Sequence, residues 1–475
     1  MRARARVPRR PSVPDPTRPS ARPASRPGLF RAVWRWHFFA SFLVVPVLLL
    51  LATTGLIYLF RFELEPLLHA DVMTAPAREA GQQPATYAAQ QAAVEAAWPD
   101  ATVTSMVEPS GPDRNTVFSV VLDDGSTRDV HVSTWGGEVL GAVDPDTTLS
   151  GYAVRLHGEL MSGRLGDAVI ELGACWAVVM ALTGYYLFVR GRRARRRLAR
   201  AGRPGARLRS RHGLVGSVVG VGLLLLLVSG LPWTGLWGDR VQALASERGS
   251  SLWSTDPGAI SDPTSTLDES LPHSHRNDVP WAMGDSEVPT STPGTGDAVA
   301  SIDTAVGVAA GEGLRHPMTV ALPAEEDGVF SVIGYAFDAP SDERTVHVDR
   351  YGGEVVSTYG FDDYPVLARV VSQGIGLHEG RSLGLWSFWG AALMCVLVIV
   401  SCVTGPLMWW RRRPRASRSL AAPRGRMPLR TTPLLAAGVV ALGVFLPLFG
   451  LSLLLVLVLD ATALRLGRRA DRVGT

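Results

Sequence analysis

The chain has 475 residues, 47% of them hydrophobic, with 33 Pro, 49 Gly and only 3 Cys. Its formal net charge of +4 hides a one-sided usage: lysine is absent and all 47 basic residues are arginine. The arginines crowd beside apolar runs, which argues against nucleic-acid binding, and the cysteines Cys175, Cys395 and Cys402 all fall inside those runs, which excludes a disulfide-stapled scaffold.

Residues 1–32 form an Arg/Pro-rich tail, too long and too Pro-rich for an ordinary signal peptide and read as the cytoplasmic lead of a retained anchor. A first apolar span follows at 33–62 and a second at 166–190. A basic loop at 191–211 separates that span from a third at 212–238, and a fourth span, 383–410, leads into a second basic loop at 411–431. Each apolar run has about 20 residues or more, enough to cross a bilayer core. The positive-inside rule places all three arginine clusters in the cytoplasm, so residues 63–165 and 238–382 are expected outside a bacterial cytoplasmic membrane. A fifth apolar run, 433–460, carries Pro433 at its start and Pro447 in its middle; a kinked span and a re-entrant hairpin both fit it.

The outside segments repeat each other. VHVSTWGGEVLG at 130–141 returns as VHVDRYGGEVVS at 346–357, and each hairpin turns on a glycine pair, Gly136-Gly137 or Gly352-Gly353. An Ala-rich helical stretch precedes each set of alternating apolar runs, Tyr87 to Trp98 in one case and Val299 to Gly313 in the other. The expected units are two small α+β domains with antiparallel sheets, at 84–145 and 299–360, with a Ser/Pro-rich insertion at 245–298 before the second. The spans repeat as well: His157 and Gly184 recur as His378 and Gly405, and His37 and Thr54-Gly55 recur as His212 and Ser229-Gly230. The fold class that follows is a membrane α-helical bundle of four repeated spans plus a fifth, with two extracytoplasmic α+β domains and an internal duplication.

The Gly-Gly-Glu hairpin resembles the PepSY domain. The helices around it, carrying WHFFASFLVVPVLLLLATTGLIYLF, LHGELMSGRLG, LPWTGLWGD, VPWAMG and GLHEGRSLG, resemble the PepSY-associated transmembrane family over residues 33–410. That resemblance implies inner-membrane proteins of siderophore-iron uptake, among them haem-containing reductases of ferric siderophores.

Four of the ten histidines sit at the ends of the repeated spans. His37 and His212 open spans one and three on the cytoplasmic side, while His157 and His378 precede spans two and four on the outer side. An ionisable residue at a membrane span is a functional candidate, and imidazole is a ligand of b-type haem iron. If the halves pack about a pseudo-twofold axis, His37 faces His212 and His157 faces His378, so one or two haem b groups are expected on these four residues. His37 and Gly55 are 18 residues apart, as are His212 and Gly230, so each pair shares a helix face with its members about 27 Å apart along the axis. Each glycine therefore lies at the level of the outer His pair. Plainer readings stand beside this one: Thr-Gly and Ser-Gly as helix-packing positions, His37 as an interfacial anchor between Trp34 and Trp36, and His157 and His378 in outer loops. His131 and His347 read as half-exposed strand residues. Asp167, Glu171, Glu379 and Arg381, near the outer pair, read as solvated interface residues.

No Gly-rich phosphate loop follows a strand and no hydrolase or zinc-helix motif is present. The expectation is therefore a haem-containing reductase that takes electrons from a membrane quinol or a redox protein and passes them across the lipid bilayer to a ferric siderophore or related iron chelate. The alternative is a non-enzymatic, membrane-anchored PepSY binding or regulatory module. A permease is a third reading, disfavoured by the lack of broken helices and embedded charges at mid-span.

Overall fold

A computed structural model describes residues 28–203, 205–248, 289–291, 300–323, 326–334, 339–413 and 433–473. Nearly all of the expected tail at 1–32, most of the insertion at 245–298 and most of the basic loop at 411–431 lie outside these residues.

Among the described residues four helices are long and apolar enough to cross a membrane: α1 (Leu29–Leu59), α6 (Gly163–Arg190), α8 (Ala206–Gly230) and α12 (Leu385–Arg412). They pack in a ring in which α1 and α8 each touch both α6 and α12, so α1 lies diagonally from α8 and α6 from α12. Small and branched residues close the centre, among them Val44, Ala52, Ala174, Ala177, Leu223 and Val398. Sequence sets where the spans stop. Pro232 cannot donate to the ladder of α8, which tightens into a 3-10 turn at Leu231–Trp233 before α9 (Gly235–Ser246). The span expected at 212–238 is thus two helices joined by a turn.

Short helices link the bundle to a sheet. α2 (Arg61–Leu68) and α3 (Ala70–Met73) follow α1, and α4 (Tyr87–Ala97) is capped by Thr86, whose hydroxyl accepts from Ala89 N. Four strands follow: β1 (Thr102–Val107), β2 (Thr116–Val121), β3 (Thr127–Val132) and β4 (Val139–Val143). α5 (Leu149–Glu159) then leads into α6, and α7 (Arg192–Arg200) lies between α6 and α8. The second half supplies α10 (Ile302–Gly311), β5 (Thr319–Ala321), β6 (Val329–Ile333), β7 (Arg344–Asp349), β8 (Val355–Gly360) and α11 (Val366–His378).

The eight strands form one antiparallel sheet in the order β4-β3-β2-β1-β5-β6-β7-β8. The segments expected as two separate domains are fused edge to edge, with Ser105 opposite Ala321, Met106 opposite Val320 and Val107 opposite Thr319. The reason lies in β1 and β5, each an otherwise open edge whose backbone groups need partners. Glu108, 4% exposed, reinforces the junction by accepting from Tyr87 OH (2.8 Å) and Met318 N (2.8 Å), with His316 Nδ1 at 2.7 Å. Burial, then Glu108, pushes the Tyr87 phenol well above its ordinary pKa. Asp303 of α10 accepts from the backbone N–H groups of Tyr87 and Ala88, both at 2.8 Å, so one half caps a helix of the other.

One sheet face packs under α4 and α10 with Met106, Phe118, Val130, Val320, Val332 and Val346. The opposite face is polar yet buried. His131 and His347 lie there at 6% and 1% exposure, which corrects the half-exposed expectation. His347 Nδ1 is 3.0 Å from Ser331 Oγ, and Ser119 Oγ donates to Asp129 at 3.0 Å. Alternation along a strand tells the two faces apart but not what covers the second one.

The fifth apolar run forms two helices, α13 (Pro433–Phe445) and α14 (Pro447–Val473). A methyl group on Gly450 would lie 2.5 Å from Gly443 O, whereas residues seven apart in a continuous helix are separated by about 10 Å along its axis. The chain therefore doubles back as a helical hairpin and does not continue as one kinked helix. Trp237 Nε1 of α9 donates to Phe445 O at 2.9 Å, and Trp176 Nε1 donates to Ser452 Oγ at 3.0 Å. Leu446 and Phe449, each 1% exposed, anchor the tip in the bundle core. The hairpin tip thus reaches toward the sheet side, and its second arm runs back toward the arginine-rich side.

Candidate cofactor site

Each of the four span histidines meets a hydroxyl-glycine pair on a neighbouring helix. His37 of α1 meets Thr183-Gly184 of α6, and His212 of α8 meets Thr404-Gly405 of α12. His157 of α5 meets Thr54-Gly55 of α1, and His378 of α11 meets Ser229-Gly230 of α8. The helix order produces this exchange: α5 and α11 end beside the helices that carry the glycines, at the sheet side of the bundle.

The hydrogen bonds fix the tautomer. Nδ1 lies 3.2 Å from Thr183 Oγ1 in His37, 2.9 Å from Thr54 Oγ1 in His157, 2.9 Å from Thr404 Oγ1 in His212 and 3.1 Å from Ser229 Oγ in His378. Each hydroxyl already donates its one proton to the carbonyl four residues earlier: Val179, Leu50, Val400 and Leu225, at 2.7 to 2.9 Å. With its proton on that carbonyl the hydroxyl accepts from the ring, which assigns the hydrogen to Nδ1 in all four. For His37 and His378 a backbone carbonyl adds the same demand, Met180 O at 3.1 Å and Leu226 O at 3.0 Å. Nε2 is left with its lone pair, the state in which imidazole binds a metal.

The glycines bring the rings close. A methyl group would stand 3.2 Å from His37 Cε1 on Gly184, 3.7 Å from His212 Cε1 on Gly405, 3.5 Å from His157 Cε1 on Gly55 and 3.2 Å from His378 Cε1 on Gly230. The 18-residue spacing thus acquires a physical meaning: Gly55 and Gly230 seat the sheet-side imidazoles. The sequence carries the matching signal in four Thr-Gly or Ser-Gly pairs for four histidines, with Thr183-Gly184 and Thr404-Gly405 beside the pairs at 54–55 and 229–230.

His157 and His378 come together with ring centroids 6.3 Å apart and planes at 81°. Both line an apolar cavity of 340 Å³ bounded also by Leu51, Gly55, Tyr58, Leu227 and Cys395. His37 and His212 both lie toward the arginine-rich end of the bundle, each against its own Thr-Gly pair on α6 or α12. Of the two expected pairs, His157 and His378 are in ring contact. His157 and His378 terminate packed helices rather than lying in loops.

Imidazole is a ligand that a b-type haem takes, and His157 and His378 are the residues that would hold one at this cavity. Both Nδ1 atoms are held from behind, and the cavity falls in the range of about 300–1,000 Å³ usual for small-molecule sites. Among the described residues no cluster of three or more His, Cys, Asp or Glu forms. Trp233 stands edge-on to His378 at 5.6 Å and is part of the cavity wall.

Glu171 and Arg381 are buried, contrary to the sequence reading, while Asp167 and Glu379 are half-buried. Glu171 is fully buried and accepts from Leu236 N (3.1 Å) and Trp237 N (3.2 Å), and Asp167 accepts from Gly235 N at 3.0 Å, so both cap α9. Glu379 lines the cavity, and Arg381 is 8% exposed.

The family model for the PepSY-associated TM region matches residues 34–412, which spans the four helices, the sheet and all four histidines. No curated protein matches the chain. A helical membrane protein of this length of match, with its four candidate spans and antiparallel sheet, belongs to the PepSY-associated TM family.

Proposed function

We propose that the protein is a haem-bearing reductase of the bacterial cytoplasmic membrane that passes electrons outward to a ferric siderophore or related iron chelate. In this reading the chain is a duplicated unit with its arginine clusters in the cytoplasm and its PepSY-like sheet outside. The electron donor is a membrane quinol or a redox protein at the arginine-rich end. His37 and His212 would hold one haem b and His157 and His378 another, and these groups supply one-electron transfer between the two faces.

The observation that carries the reading is the fourfold recurrence of an imidazole locked as the Nδ1–H tautomer against a glycine. A purely structural histidine has no need of a free Nε2 four times over. The protein's own contribution is to orient each ring, keep water out with apolar walls and place the two pairs at opposite ends of the bundle. One electron converts Fe(III) to Fe(II) in the chelate, whose hard oxygen ligands hold Fe(II) far less well.

An absorption spectrum of the detergent-purified protein, expressed with haem supplied, tests this. A Soret band with about two haems per chain, falling to about one on changing His157 and His378 to Ala, is expected. A featureless spectrum from folded protein would instead support the anchored binding module.

A further inference from the structure

The loops that follow the two sheet-side histidines differ. After His157 the chain turns through Leu160 and Met161, at φ of 51° and 53°. After His378 it runs Glu379-Gly380-Arg381, and the Arg381 side chain turns back inward. Its Nε donates to Glu379 Oε2 at 2.7 Å and its Nη2 donates to Glu343 Oε1 at 2.9 Å. Glu343, 4% exposed, immediately precedes β7 and also accepts from Tyr364 OH at 3.0 Å and Ser372 Oγ at 3.1 Å. One guanidinium therefore joins the sheet to the residue next to His378 and to the wall of the cavity.

A buried ion pair adds little net stability over apolar packing of the same volume, so its presence calls for a positional explanation. The planar fork of arginine addresses two carboxylates in fixed directions, which a lysine cannot reproduce. The need is local. His378 is the last residue of α11, where backbone carbonyls lose their helical partners and the end frays. The Arg381 N–H closes that end on Gly376 O at 2.8 Å, and its side chain holds the closure to the sheet. In the first half the corresponding helix is held at its other end instead: Glu65 of α2 accepts from the Ser150 hydroxyl at 2.7 Å, in the first turn of α5.

We propose that Arg381 is a positioning residue for His378, fixing the imidazole relative to His157 by tying the end of α11 to the sheet through Glu343. The inference rests on the reading of His157 and His378 as an axial pair.

The test compares wild type, Arg381→Lys, Arg381→Met and Glu343→Gln, each expressed with haem supplied, by haemochrome stoichiometry and low-temperature electron paramagnetic resonance of the two low-spin centres. The centre at His37 and His212 serves as internal reference. Arg381→Lys keeps the charge but cannot reach both carboxylates. It is expected to shift or lose the sheet-side signal and to weaken haem retention there at least tenfold, with the reference signal unchanged. Arg381→Met should do the same, and if it fails to fold the lysine variant decides. Glu343→Gln, which keeps acceptors for Tyr364 and Ser372, should give a smaller shift of the same signal. Folded arginine variants with both signals and both stoichiometries unchanged would overturn the positioning role. A folded wild type without haem would overturn the axial-pair reading and this inference with it, and the wild-type sample alone tells those two failures apart.

Discussion

His212 leans on a single oxygen. Its Nδ1 is 2.9 Å from Thr404 Oγ1, and among the described residues no second acceptor supports it, whereas His37 has both Thr183 Oγ1 and Met180 O. Thr404→Val keeps the shape of the side chain but leaves a ring N–H facing a methyl group. An unsatisfied donor of this kind costs about 1–3 kcal/mol. Thr183→Val leaves the carbonyl in place, so its cost should be about 1 kcal/mol or less. Loss of a partner that orients a metal-binding histidine typically weakens retention about 10–100-fold. Thermal unfolding in detergent without haem reads the first effect, and the rate of haem transfer to a scavenging apoprotein reads the second. Thr404→Val should unfold earlier and release haem from the arginine-rich end faster than Thr183→Val. Equal behaviour of the two variants in both assays would refute the tautomer argument.

Gly450→Ala places a methyl group 2.5 Å from Gly443 O and should force the α13–α14 hairpin open, seen as new protease or hydrogen-exchange susceptibility near residue 446 with the four-span bundle still folded. Asp303→Ala removes the acceptor shared by Tyr87 N and Ala88 N and should lower the stability of the sheet by about 0.5–2 kcal/mol, measured as an earlier thermal transition. Burial, helped by the charge of His69, lowers the pKa of His131 from its ordinary value of 6.5 to about 4. The unfolded chain therefore binds a proton below pH 6.5 that the folded one refuses until about pH 4. Stability should fall across that window by at most about 3 kcal/mol and then level off. In His131→Leu that contribution should be missing from a melting-temperature series between pH 7.5 and 4; an unchanged slope would show that other groups dominate.

Much of this arrangement was legible in the sequence. Apolar length marked the four spans, the glycine pairs marked the two hairpins, and Gly137 and Gly353 do adopt φ of 69° and 70°. The spacing of His37 to Gly55 places the glycine at the level where His157 packs against it. What was not legible depends on contacts between distant segments. Nothing local in TSMV or MTVA announces that β1 and β5 will pair, because any open strand edge carries the same unmet backbone groups. Arg381 reads as a surface charge in GLHEGRSLG, and its burial rests in part on Glu343, 38 residues earlier, which the motif does not contain. Prolines predicted a break in the fifth run, but its sharpness came from two glycines approaching across the turn.

The fused sheet also bears on how this membrane protein can move. Transport by rocking needs two halves free to swing about a central site. Here the halves are clasped above the bundle by a shared ladder at Met106 and Val320, continued by the Leu322 N–H to Thr104 O bond at 2.9 Å and by Glu108 N–H to Met318 O at 3.0 Å. Any outward tilt of one half would peel strands apart and strip Glu108 of its donors. The clasp makes the bundle a stiff frame, suited to holding two facing rings at a constant separation and poorly suited to carrying a solute through.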